Sequence, residues 1–138
     1  MRSQLFWAIL SLPFFLSAQT ATLEVRVHDV SSSDGDILVA LYKEEKTFLK
    51  FEHVYRTEEA PALEGTTHLI IADLPYGDYA LAIFHDENGN DELDTNFIGI
   101  PKEPLGFSNA RLKTFGPPGF KECLVRFRED TLIEITLE

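Results

Sequence analysis

The residues most able to do chemistry lie in one stretch, Phe84 to Phe97, which reads FHDENGNDELDTNF. Asp86, Asn88, Asn90 and Asp94 put four oxygen-bearing side chains into one short segment. That density suits a hard divalent cation, since calcium accepts irregular shells of about six to eight oxygens. With Asp86 as position one of a twelve-residue calcium loop, Asn88, Asn90 and Asp94 fall at three, five and nine. Leu93, at eight, supplies an apolar tie to a core. The second half departs from that pattern. Position six, where glycine makes the sharp turn, is Asp91, and position twelve, where a bidentate Glu belongs, is Phe97. A shorter loop is then expected, with Asp91 or Glu92 as substitute ligands, backbone carbonyls completing the shell, and calcium held weakly. The competing reading is a polar turn, because Asn, Asp and Gly bend readily.

His85 directly precedes Asp86, and a His–carboxylate contact is one way to make a general base. This supports a rival reading, a small metal-dependent hydrolase built on His85, Asp86 and a metal in the acidic loop. Against it, adjacent residues of a strand point to opposite faces. No G-x-S-x-G element is present, and His28, His53 and His68 lack zinc-like spacing. The expectation is therefore a chain without catalysis, with His85 a hydrogen-bonded structural residue.

From Ile98 to Phe120 runs a segment with four prolines, four glycines and no strand period. Phe97, Phe107, Phe115 and Phe120 punctuate it, with Asn96, Asn109 and Arg111 between them. Loops longer than about 15 residues are uncommon unless functional or disordered, and four Phe argue against disorder. Two readings follow. The aromatics pin the loop over one end of the fold, or Asn96, Phe107, Asn109, Arg111 and Phe115 form a recognition surface for a protein or glycan of the cell envelope.

The elements that must position these residues read as strands. Thr22 to Val30 alternates, with Leu23, Val25 and Val27 on one side. Asp34-Gly35 is a turn dipeptide that predicts a hairpin into Ile37–Tyr42, which is apolar on both faces and so central. Lys43 to Glu52 predicts a short helix or irregular crossing that tucks Phe48, Leu49 and Phe51 under the sheet, and His53 to Ala60 an edge strand. Thr67 to Asp73 and Tyr79 to Phe84 are strands joined at Leu74–Gly77, and Lys121 to Arg128 with Thr131 to Leu137 predict a closing hairpin. About seven short strands with close turns make an all-β antiparallel sandwich. Its expected core is Leu23, Val25, Val27, Val39, Leu41, Leu69, Ile71, Leu81, Ile83, Val125, Phe127, Ile133 and Ile135. Cys123, in step with Val125 and Phe127, is expected on the inward face of its strand as an inert thiol.

Residues 1–18 read as a secretory signal peptide: Arg2, an apolar run from Leu5 to Leu16, then Ser17-Ala18 before the expected cleavage. Residues 19–138 then form a single domain, exported to the periplasm or beyond, and expected as a monomer. The run is short of the roughly 20 apolar residues that span a bilayer, so no span is expected in the mature chain. The net charge of −11 argues against nucleic acid and anionic membranes, which repel it, and favours cations or simple solubility.

The segments ADLPYGDYALAIFHDENGN, DTNFIGIPKE, GFSN and FGPPGF together resemble a bacterial family known as a domain of unknown function, number 2141. The likeness implies a small exported β-protein and attaches no activity to it. DLPYGDYAL alone is similar to the strand-turn-strand of transthyretin-like and carboxypeptidase-regulatory-like sandwiches, in keeping with an Ig-like or transthyretin-like arrangement. The first half of the acidic loop is similar to EF-hand and dockerin-type loops. The expected function is a non-catalytic binding or envelope-associated module, calcium-stabilised at residues 86–94, or alternatively a subunit that donates an edge strand to an assembly.

Overall fold

The computed structural model describes residue 13 and residues 17–138. The leader expected over 1–18 therefore lies almost wholly outside the described residues. Eight strands form two sheets: β1 Thr20–Val30, β2 Asp36–Tyr42, β3 Arg56–Pro61, β4 Gly65–Pro75, β5 Gly77–Asp86, β6 Leu105–Phe107, β7 Leu124–Phe127 and β8 Thr131–Thr136. The first sheet runs β4-β1-β8. The second runs β3-β2-β5, with β6 and β7 sharing the far edge of β5. The chain is an all-β sandwich.

The alternating strands put their apolar residues between the sheets. Leu23, Val25 and Val27 of β1 meet Val39 and Leu41 of β2, Leu69 and Ile71 of β4, and Leu81 and Ile83 of β5 in one buried cluster. Val125, Phe127 and Ile135 belong to it, while Ile133 is only partly buried. Tyr79 is fully buried and donates its hydroxyl to Pro75 O at 2.6 Å. That bond fixes the corner at which β4 leaves one sheet and β5 enters the other.

Three expected local arrangements are corrected. Asp34-Gly35 is not a hairpin turn, because β1 and β2 lie in different sheets. The last two strands are not a hairpin either. β7 pairs with β5, whereas β8 crosses over and runs parallel to β1, Leu23 opposite Thr131 and His28 opposite Thr136. Asp130 makes the crossing by accepting a hydrogen bond from Thr22 N at 2.8 Å. Finally, of the three side chains expected under the sheet, only Phe48 packs there. It stands edge-on to Tyr42 and Phe120, with centroids 5.4 and 5.7 Å away. Leu49 and Phe51 are exposed, because two short 3-10 turns, Glu45–Thr47 and Phe51–His53, are too short to present one continuous apolar face.

The edges of the two sheets are tied on both sides. Arg56 of β3 donates to Ala72 O of β4 at 2.9 Å. Opposite, Leu105 and Glu138 exchange backbone hydrogen bonds. A Cβ on Gly106 would lie 2.8 Å from Ile135 and from Thr136 O, so only glycine lets β6 approach β8 this closely.

The long loop does not cap one end of the sandwich. It folds over the outer face of the second sheet and makes a second core there, in which Ala80, Phe84, Leu105, Phe107 and Cys123 are buried with Leu93 and Phe120 against them. β5 is thus apolar on both faces because both are covered.

Candidate functional site

The acidic loop springs from the end of β5, and its root is held by the β1–β2 link. Gly35 has φ +65°, and a Cβ there would fall 1.9 Å from Asp86 O. The link therefore lies directly on the Asp86 backbone. His85 is fully buried and donates Nε2–H to Asp34 O at 2.7 Å. Ser31 donates to Glu87 Oε1 at 2.9 Å.

Within the loop, side chains close the backbone. Asp86, also fully buried, accepts from Asn90 N at 3.2 Å and from Asp91 N at 2.7 Å. Asn88 Oδ1 accepts from Asn90 N, and Asn90 Oδ1 from Glu92 N. Asp91 adopts φ +61°, so it takes the left-handed conformation that glycine supplies at the sixth position of a calcium loop. An Asp tolerates that conformation better than most side chains. The amides of Asn88 and Asn90 both donate to the Asp94 carboxylate, Asn90 at 3.0 Å.

Sequence reasoning missed Glu103. It is nearly buried, and its carboxylate bridges the two ends of the loop, taking Glu87 N on Oε1 and Asp94 N on Oε2, both at 3.1 Å. No charged side chain pairs with Glu103 or Asp94 among the described residues. Glu87, Asn88, Asp94, Thr95, Lys102 and Glu103 line one open cleft. Asp91 lines a different groove, beside Leu38, Phe51 and Phe84. Glu92 is exposed at the surface. Of the six expected ligands, the structure therefore brings Asn88, Asn90 and Asp94 together. It makes Asp86 the residue that closes the loop, and leaves Asp91 and Glu92 outside the cleft. Among the described residues no three His, Cys, Asp or Glu side chains converge as a ready-made metal cluster. Any cation here takes amide and backbone oxygens beside one or two carboxylates, an oxygen set that calcium accepts and zinc does not favour.

The expected recognition residues separate. Phe107 is buried in β6, opposite Ala82, so it is a core residue and not part of a binding face. The short strand was hidden because three residues between Pro104 and Ser108 carry no readable period. Phe115 is fully exposed. Asn96 spends its side chain on its own turn, accepting from Ile98 N at 3.0 Å and Ile100 N at 2.9 Å. Asn109 sits at φ +55° and donates to Leu124 O. Arg111 pairs with Glu138 at 3.6 Å. Burial separates Phe107 from Asn109, Arg111 and Phe115, which are exposed.

Cys123 is buried, as expected, but it ends the 3-10 turn Phe120–Cys123 and lies in the outer cluster, not between the sheets. Burial, and then the neighbouring Glu122, push its thiol up to about 11. The catalytic alternative finds no assembled site: His85 is sealed from solvent, and Asp86 is occupied by loop amides.

A family model matches residues 25–134, and its description is "Uncharacterized protein conserved in bacteria", domain of unknown function 2141. The chain belongs to this family. The match runs from β1 into β8 and takes in the acidic loop and Glu103. It indicates no catalytic activity. No curated protein and no solved structure matches the chain. Among the described residues, no helix is long and apolar enough to cross a membrane.

Proposed function

We propose that this chain is an exported, non-catalytic β-sandwich module of the cell envelope, stabilised by a calcium ion in the cleft of the 86–94 loop. One observation carries the ion: Glu103, Asp94 and Glu87 share a cleft with Asn88, and among the described residues no cationic side chain, Lys102 of the same cleft included, pairs with Glu103 or Asp94. Buried carboxylates cost free energy unless charge or hydrogen bonds compensate them. Backbone N–H groups supply part of that compensation, and a cation supplies the rest. Asp94 offers the outer carboxylate, and the amides of Asn88 and Asn90, which now donate to it, turn over to present their oxygens when the ion enters. Asp86 and Glu103 hold the backbone in place from beneath. A site with so few carboxylates binds in the range of about 10⁻⁴ to 10⁻³ M, as extracellular calcium modules do.

Calorimetric titration of the purified protein with calcium tests this. A single saturable site of that affinity, lost in Asp94→Ala, supports it, and no heat at millimolar calcium ends it. The export half of the reading rests on the order of basic, apolar and small residues at the N-terminus. Mass spectrometry of the protein recovered from its native compartment is expected to find residues 1–18 removed, and an intact Met1–Ala18 would refute export by this route.

A further inference from the structure

The chain holds four asparagines, and Asn88 alone is followed by glycine; Asn90, Asn96 and Asn109 precede Asp91, Phe97 and Ala110. An asparagine side chain can be attacked by the backbone nitrogen of the next residue. At this pair the ring that closes contains only Asn88 Cα, Cβ, Cγ and C with Gly89 N, so no atom beyond the two residues takes part. A side chain on the second residue would crowd that ring, and glycine has none. The fold leaves the pair open. Both residues are exposed. Gly89 has φ +69° and nothing within 4 Å of where a Cβ would stand. The amides of Glu87, Asn90, Asp91, Glu92 and Asp94 each have a side-chain acceptor, whereas among the described residues Gly89 N donates to no protein atom.

We propose that Asn88 is a site of spontaneous deamidation, which turns the neutral amide of the cleft into a further carboxylate facing Asp94. Gly89 N gives its proton to solvent and attacks Asn88 Cγ. Asn90 N, shared between Asn88 Oδ1 and Asp86 Oδ1 at 3.2 Å each, meets the charge that develops on the Asn88 oxygen. The Cγ–Nδ2 bond breaks, and the nitrogen leaves as ammonia with a proton from water. Water then opens the cyclic imide. Cleavage between Gly89 N and Cγ gives aspartate at 88. Cleavage between Gly89 N and the Asn88 backbone carbon gives isoaspartate, in which the chain runs through the side chain. Water is the sole co-reactant and nothing is oxidised. The bond from Asn88 Nδ2 to Asp94 must loosen first, and at an exposed loop such a tie opens at little cost. The product changes the cleft. An ionised carboxylate has no proton to donate, so the tie to Asp94 is lost and repulsion replaces it, beside Glu87 and Glu103 of the same cleft. No step needs a cation, so the reaction is independent of the ion reading.

Peptide mapping by mass spectrometry tests this on the purified protein held in mildly alkaline buffer with a calcium chelator, beside the same protein in urea. Native Asn88 should convert within about tenfold of its rate in urea, because an exposed loop opens locally at little free-energy cost. Its peptide should gain the mass of an acid in place of an amide, as a mixture of aspartate and isoaspartate, faster at higher pH. Asn90, Asn96 and Asn109 should keep their amides over the same period. Gly89→Ala should suppress the conversion by crowding the nitrogen. Asn88→Gln should suppress it without touching the glycine, because the ring would have to be larger. Asn88→Asp presents the product directly and should lower the melting temperature in chelator, where two carboxylates then face each other. The proposal is overturned if native Asn88 keeps its amide while the urea sample converts, if Asn96 or Asn109 converts as fast, or if both suppressing variants release ammonia as the parent does. An Asn88→Asp variant that melts as the parent does in chelator would overturn the placement of the new carboxylate against Asp94.

Discussion

Two adjacent loops, 86–94 and 95–101, close themselves with the same device and present opposite chemistry. In each, an Asx side chain folds back to accept amides a few residues on: Asp86 from Asn90 and Asp91, Asn96 from Ile98 and Ile100. The first loop is also clamped from outside, by Gly35 beneath Asp86, by Ser31 on Glu87 and by Glu103 across both ends. The second is held by its own hydrogen bonds, the Thr95–Pro101 bridge and the bond from Lys102 N to Asp94 O at its base. A loop that must keep carboxylates at fixed separations against their repulsion needs such outside support. A turn that only displays apolar side chains does not. The difference between the loops is therefore one of anchoring, and it is open to direct test.

The largest effect is expected at the anchor. Gly35→Ala places a Cβ 1.9 Å from Asp86 O at φ +65°, so backbone must move. A loss on the order of 3 kcal/mol or more, or failure to fold, is expected in urea denaturation. Gly99 has φ +82° but open space around it. Gly99→Ala should cost only about 1 kcal/mol of backbone strain. Equal costs at the two glycines would erase the contrast in anchoring.

The two phenylalanines of the long loop come next. Phe107→Ala empties a packed site and should cost about 3–5 kcal/mol. Phe115→Ala should stay within about 0.5 kcal/mol of the parent, because the ring touches only solvent. Denaturant midpoints decide both. A large loss at Phe115 would mean that it packs in solution and is not a displayed tip.

Glu103 follows. Glu103→Ala strands the amides of Glu87 and Asp94 at a nearly buried position, at a cost of about 1–3 kcal/mol. Hydrogen exchange at those two amides should quicken while exchange in the 96–100 turn is unchanged. Matching acceleration in both loops would show that they open as one unit.

These loops also mark where the sequence was legible and where it was not. The strands and the core between the sheets were readable because a half-buried strand must alternate, and Leu23, Val25 and Val27 do. Which strand pairs with which was not. Asp34-Gly35 and Glu129-Asp130 announce that the chain reverses, but a reversal within one sheet and a crossing to the facing sheet use the same turn residues. The oxygen-rich spacing of 86–94 was readable as well. Its closing residue was not, because Glu103 stands 17 positions from Asp86 in a segment without period, and only the fold returns it. Asp91 was legible as an anomaly, a non-glycine where a calcium loop bends, and its φ of +61° accounts for it.

The most direct test of the ion reading is a pair of thermal melts, one in millimolar calcium and one in chelator. At calcium between one and ten times the dissociation constant, ligand linkage adds about 0.4 to 1.4 kcal/mol to the folded state. For a domain of this size that is a rise of about 2–6 °C. Chelator should reverse it, Asp94→Ala should abolish it, and Phe115→Ala should retain it. Superimposable melts in calcium and chelator would contradict the reading and leave 86–94 a self-closed turn on an intact sandwich.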